Sequence, residues 1–92
     1  MGKVILKGFV IVPDIDLESV MCELPTHIEN TRSEDGCLVF EVSQDSLSKN
    51  KLNVYEKFVN EVAFKAHQER VSNSECGAVA KNCERHYEIS GL

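Results

Sequence analysis

The sequence predicts a small α+β domain: an antiparallel four-stranded sheet with helices on one face, in the order β-α-β-β-α-(α)-β. Three observations predict it. A β-branched apolar run opens the chain from Val4 to Val12, and Pro13 ends it. Two later segments, Cys37 to Val42 and Leu52 to Phe58, alternate apolar and polar residues on either side of a polar loop, as an antiparallel hairpin does. Around these segments, apolar residues recur at helical spacing.

Each element has its own signature. The unbroken apolar character of the first strand predicts burial on both faces, with Lys3 and Lys7 on the parity of Ile5, Phe9 and Ile11. Asp16 is the expected N-cap of the first helix, with Glu18 in its first turn. Leu17, Val20, Met21, Leu24, Ile28 and Thr31 form its apolar stripe. Pro25 lacks a backbone donor and crowds the preceding turn, so a kink or restart is expected near Leu24. Gly36 is the expected left-handed terminator. In the hairpin, Leu38, Phe40 and Val42 share one face, as do Leu52, Val54, Glu56 and Phe58, while Glu41 and Glu56 are read as solvated. Asn60 caps a second helix carrying Ala63, Phe64, Ala66, His67 and Val71. Ser72-Asn73-Ser74-Glu75 has the form of a capping box for a short third helix from Cys76 to Cys83, and Arg85 to Ser90 alternates as a last strand. This is the ferredoxin-like order, filled by a single domain over residues 1–92.

Composition excludes several functions. Fifteen acidic residues outnumber ten scattered basic ones, for a net charge of −5, which argues against nucleic acid or an anionic membrane surface as partner. No apolar run approaches the roughly 20 residues of a membrane span, and Met1 to Lys7 reads as strand rather than signal peptide. Cys22, Cys37, Cys76 and Cys83 form no C-x-x-C pair, and His27, His67 and His86 do not fall into zinc-finger spacing with them. They read as reduced thiols of a cytoplasmic protein. No phosphate-binding loop or metalloprotease motif is present, so no metal or cofactor is implied by a motif. Apolar residues on both parities of several strands leave one sheet face uncovered by helices. A second copy, packed face to face through the sheets, is the expected partner.

A small set of residues can carry chemistry. His67, on a largely apolar helix face, is either a hydrogen-bonded core residue or a general base facing a pocket between helix and sheet. The Tyr55 hydroxyl needs a partner if buried and is equally able to bind a substrate oxygen. Phe40, Phe58 and Phe64, with Phe9, either line an aromatic-binding cleft or form core. His86 is expected at the surface with Tyr87 inward, and His27, on the polar side of the first helix, has no assigned role.

Two stretches resemble a known family. Thr31-Arg32-Ser33-Glu34-Asp35-Gly36-Cys37-Leu38-Val39-Phe40-Glu41-Val42 is similar to the T-R-x-E-x-G-C-x-x-F/Y-x-V segment of the antibiotic biosynthesis monooxygenases. Val54-Tyr55-Glu56-Lys57-Phe58 with Ala63-Phe64-Lys65-Ala66-His67 resembles their Y-E-x-W…A-F/L-x-A-H signature. The resemblance implies a dimeric ferredoxin-like half-barrel that oxidises quinols or polycyclic phenols with dioxygen and without cofactor, the substrate supplying the electrons. It implies His67 as base, Tyr55 as orienting residue, and Phe40, Phe58 and Phe64 as substrate-binding walls around a small aromatic or apolar molecule. Two departures bear on the reaction: Phe58 stands where many members have Trp, and no second histidine follows His67 closely. Two other functions share the fold: an isomerase or degrading enzyme for an autoinducer-type signal, and a non-catalytic dimeric ligand-binding domain.

Overall fold

The computed structural model describes residues 2–74 and 78–92. Its elements are β1 (Val4–Ile11), α1 (Asp14–Arg32), β2 (Cys37–Gln44), β3 (Lys51–Phe58), α2 (Glu61–Ser72) and β4 (Glu84–Ser90). The strands form one sheet in the order β2-β3-β1-β4, every neighbouring pair antiparallel, which is the ferredoxin-like topology predicted.

The β3 strand shows most directly how the sheet divides. Leu52, Val54, Glu56 and Phe58 are buried toward the helices, whereas Lys51, Asn53, Tyr55 and Lys57 point to the open face and are half-buried. On β1, Val4 and Leu6 are buried under the helices, but Ile5, Phe9 and Ile11 are only partly covered and Lys7 is exposed. Two-sided burial of this strand is therefore absent from the single chain. Nor is the open face a simple apolar surplus. Register places Glu88 beside Lys7, His86 beside Phe9 and Glu41 beside Tyr55. Phe9 is sandwiched, with His86 stacked at 4.8 Å and Lys51 Nζ 4.4 Å from its ring centroid.

Local chemistry corrects three expectations. The first helix begins at Asp14, not behind an Asp16 cap: Pro13 holds the N-cap position without a side-chain bond, its fixed φ suiting the entry to the helix. Asp14 and Asp16 then lie together in the first turn, where the helix dipole favours them. That helix also runs unbroken through Pro25, which is exposed, so water can serve the carbonyl it leaves without a donor. On β2, a bulge between Cys37 and Val39 inserts Leu38 as an extra residue. This removes Leu38 from the face of Phe40 and Val42 and leaves it 46% exposed.

The expected Asn60 cap is present, its side chain accepting from the Ala63 N–H at 2.9 Å. Gly36 adopts the positive φ of +89° that the turn into β2 requires. A Cβ there would lie 2.7 Å from that of Ala63. Part of the predicted third helix, and the Glu75 half of its capping box, lies outside the described residues. Ser72 belongs to α2 rather than opening a new helix, and helical residues reappear at Ala78 and Val79. Among the described residues, the core falls into two clusters, one around Val4, Leu6, Val54, Phe58 and Phe64, the other around Val12, Val20 and Leu52.

Candidate active site

Between sheet and helices lies a cavity of about 280 Å³, with Phe40, Val54 and Leu24 among its apolar walls. Its polar groups are His67 and Gln68 from α2, His27 from α1, Glu56 from β3, and Arg85 and Tyr87 from β4. The spacing of α2 explains why His67 is there. Phe64 and His67, three residues apart, share the face turned to the sheet and are the two buried residues of the helix.

The imidazole of His67 is 3% exposed and has different neighbours on its two edges. Its Nδ1 lies 2.9 Å from Glu34 Oε1. The other oxygen of Glu34 accepts from Arg70 Nε, and Arg70 also donates to the fully buried Thr31 hydroxyl at 2.9 Å. A carboxylate paired with a guanidinium is ionised and only accepts, so Nδ1 must carry the proton. Nε2 is thereby left as the free basic nitrogen, 3.8 Å from Glu56 Oε1. The tautomer is thus set by a residue 33 positions away in sequence.

Burial governs the charge states. Removal from water lowers the pKa of His67 against the opposing attraction of Glu34. His27 is lowered to about 4, by burial first and then by repulsion from His67 and Arg70. Glu56 is raised to about 7 by burial and by the nearby Glu34 charge. Tyr87 is raised to about 12, mainly by burial, so its phenol stays protonated across the physiological range. Among the described residues, three buried polar atoms lack a hydrogen-bond partner. Asp16 Oδ2 lies in the first turn of α1, and the other two, Glu56 Oε1 and His27 Nδ1, belong to residues that line this cavity. Unpartnered buried polar atoms are costly, and the convergence of these two on one cavity is what a ligand site requires.

The predicted site residues are only partly brought together. His67 and Phe40 meet at the cavity, with ring centroids 5.8 Å apart. Phe58 does not wall it; its ring lies 5.0 Å from the His67 centroid and supports the imidazole from within the core. Phe64 packs behind Phe58, also away from the cavity. Tyr55 is on the other face of the sheet, beside Ile5, Lys7 and Glu88, because it alternates with the buried Val54 and Glu56. Reading Glu56 as solvated is wrong: the residue is 7% exposed. Its parity with Leu52, Val54 and Phe58 was the signal, and the acidity of the side chain masked it. His27 faces inward rather than to the polar side, three residues beyond Leu24 and four before Thr31, which places it on the apolar stripe. Glu34 and Glu56 both stand inside the two motif stretches, and Arg70 lies one helical turn after His67.

Among the described residues, no group of three or more His, Cys, Asp or Glu side chains converges as a metal-binding set. Residues 17–76 match the family model for antibiotic biosynthesis monooxygenase. The chain belongs to this family. Its fold is similar to that of a protein of unknown function from Bacteroides thetaiotaomicron, with a TM-score of 0.80 at 17% identity, over 99% of this chain and 98% of the other. It is also similar to a candidate antibiotic biosynthesis monooxygenase from Deinococcus radiodurans, with a TM-score of 0.74 at 24% identity, over 95% of this chain and 87% of the other. At these identities the likeness speaks to fold alone. No curated protein matches the chain at a significant level. Membership in the antibiotic biosynthesis monooxygenase family supports a monooxygenase at family level. Among the described residues, no helix is long and apolar enough to cross a membrane.

Proposed function

We propose that this antibiotic biosynthesis monooxygenase family member oxidises a quinol-type phenol with dioxygen in the helix-side cavity, with His67 as the base. One observation carries the reading: a buried imidazole whose Nδ1–H is fixed by Glu34, so that its free Nε2 faces an otherwise largely apolar cavity. An ionised quinol is electron-rich enough to reduce dioxygen itself. The protein then has to bind the phenol, remove its proton and keep water away from the products. A neutral imidazole suits the first proton transfer, because burial keeps His67 from being protonated beforehand. The cavity volume is at the lower end for small-molecule sites, which favours a one- or two-ring phenol over a larger polycycle. The Tyr87 hydroxyl, a donor on the cavity wall, fits the orienting role expected of Tyr55.

The half-buried Ile5, Phe9, Ile11 and Tyr55 on the open face support a dimer formed through the sheets. A species of single-chain mass in sedimentation at micromolar concentration overturns that arrangement. Oxygen consumption with naphthohydroquinone, corrected for its spontaneous oxidation, tests the reaction. His67→Ala is expected to lower the catalysed rate by about 10²- to 10⁴-fold, and an unchanged rate removes His67 from the chemistry.

A further inference from the structure

The proposed reaction needs an acid as well as a base. When the ionised quinol attacks dioxygen through the ring carbon next to its oxygen, the peroxide formed takes up one proton and becomes a hydroperoxide. Loss of the hydrogen from that carbon then forms a new carbonyl and breaks the O–O bond, and the departing hydroxide needs a proton to leave as water. His67 serves the two deprotonations. The leaving oxygen needs a second group.

We infer that Glu56 is this proton donor: its buried carboxyl, facing the same cavity as His67 Nε2, delivers the proton that turns the departing oxygen into water. The inference rests on the oxygenase reading above. Four features of the structure support it. Glu56 is fixed on the central strand β3 beneath the helices, with Phe58 and Val54 on either side of it on the same strand face. Its Oε1 has no hydrogen-bond partner among the described residues, so it is not committed to a structural role there. It stands 3.8 Å from His67 Nε2, just beyond hydrogen-bond length, and a small shift of the carboxyl or one bridging water connects the two. The groups around it favour the acid form. Burial disfavours its charge and Glu34 repels it, and the neighbouring Tyr87 is a neutral phenol. The guanidinium of Arg70 is taken up by Glu34 and Thr31, and that of Arg85 donates to the Ala80 and Cys83 carbonyls. At neutral pH a carboxyl raised to about 7 is present in both acid and base forms, so it can give a proton and recover it.

The protons balance. His67 takes one from the quinol and returns it to the peroxide, then takes one from the carbon bearing the hydroperoxide. Glu56 gives its own to the leaving oxygen and is reloaded by His67. In sum, quinol and dioxygen become hydroxyquinone and water. Without the acid, the same hydroperoxide has another exit: it expels hydroperoxide anion and gives unmodified quinone and hydrogen peroxide.

That second exit provides the test. Naphthohydroquinone is oxidised by the wild-type protein, Glu56→Gln and Glu56→Asp under isotopically labelled dioxygen, and hydroxynaphthoquinone, naphthoquinone and hydrogen peroxide are quantified above the protein-free background. The wild type is expected to give labelled hydroxynaphthoquinone. Glu56→Gln is expected to keep consuming oxygen while its hydroxyquinone yield falls by about 10²-fold and peroxide takes its place. Glu56→Asp, which keeps the acid but withdraws it, is expected to fall between them, and it carries the test if the amide variant does not fold. A merely structural role lowers both products together and leaves their ratio unchanged. An unchanged ratio in both variants overturns the role of Glu56 and leaves the oxygenase reading standing. No labelled hydroxyquinone from the wild type overturns the oxygenase reading and this inference with it.

Discussion

On its Nδ1 edge, His67 meets a carboxylate held on both oxygens, one by the imidazole and the other by Arg70, which is itself tied to Thr31. On its Nε2 edge it faces Glu56, and across the cavity His27, each with a buried polar atom that nothing satisfies. One edge is complete as the chain folds; the other is left open. A core histidine would have both edges satisfied, since unpaired polar atoms in a low-dielectric interior cost stability. The closed edge fixes the tautomer, and the open edge presents the resulting lone pair to whatever enters. The asymmetry separates a base from a buried structural residue.

The largest effect is expected from corrupting the closed edge without removing it. In Glu34→Gln, the Arg70 guanidinium can only donate, so it claims the amide oxygen. The amide nitrogen then faces His67 Nδ1 and donates to it, which moves the imidazole proton to Nε2. The open edge now presents N–H where a lone pair is needed. A comparable change of tautomer in a serine protease costs about 10⁴-fold in turnover, and a loss of at least ~10²-fold is expected here, with little change in substrate affinity. Oxygen uptake at several quinol concentrations checks it. Full activity in Glu34→Gln would mean that the tautomer is not set by this carboxylate.

The two edges were unequally legible in the sequence. Periodicity gave the helix face that carries His67 and the strand face that carries Glu56, because side-chain direction follows from a period of 3.6 or 2. It gave the order of elements and the Asn60 cap for the same reason: these features depend on residues a few positions apart. The closed edge depends on Glu34 meeting His67 and Arg70 across 33 and 36 positions, a juxtaposition created by packing the turn after α1 against α2. No local pattern encodes that. Tyr55 shows the opposite failure, since its parity opposed the buried set while its chemistry suggested a site. Where parity and polarity conflicted, at Glu56 and Tyr55 alike, parity proved the better guide.

The cost of the open edge is readable as a dependence of stability on pH. The carboxyl of Glu56 titrates near 7 in the folded protein against about 4.5 unfolded. The folded state therefore holds this proton more tightly, and the stability it contributes is present at low pH and lost as pH rises through that window. The Glu56→Gln variant does not titrate, so its stability relative to wild type should improve between about pH 5 and pH 7.5 and level off above that. The gain is about 3 kcal/mol at most, from the size of the shift. His27, lowered to about 4, acts with the opposite sign and destabilises the fold as pH falls below 6.5. The wild-type curve is consequently flattened, and only the difference between the two proteins isolates Glu56. Urea unfolding of both at pH 5 and pH 8 measures it, and a difference independent of pH would place the carboxyl in contact with water.

The smallest effect is expected where α2 is anchored away from both edges. Asn60 caps the helix from its first turn, and His67 lies nearly two turns further along. Asn60→Ala leaves the Ala63 N–H without its side-chain partner and should cost about 1 kcal/mol of stability. It touches neither Glu34 nor Glu56, and the burial of Phe64 and His67 against the sheet still sets the position of the helix. Catalytic rate below the melting transition should therefore stay within about twofold of wild type, a change of less than roughly 0.5 kcal/mol in the barrier. A tenfold loss with an intact melting transition would show that sub-ångström placement of α2, rather than the chemistry of the two imidazole edges, controls the site. The cap is thus the control for the other two variants: it shifts stability while leaving unchanged the groups that hold and face His67.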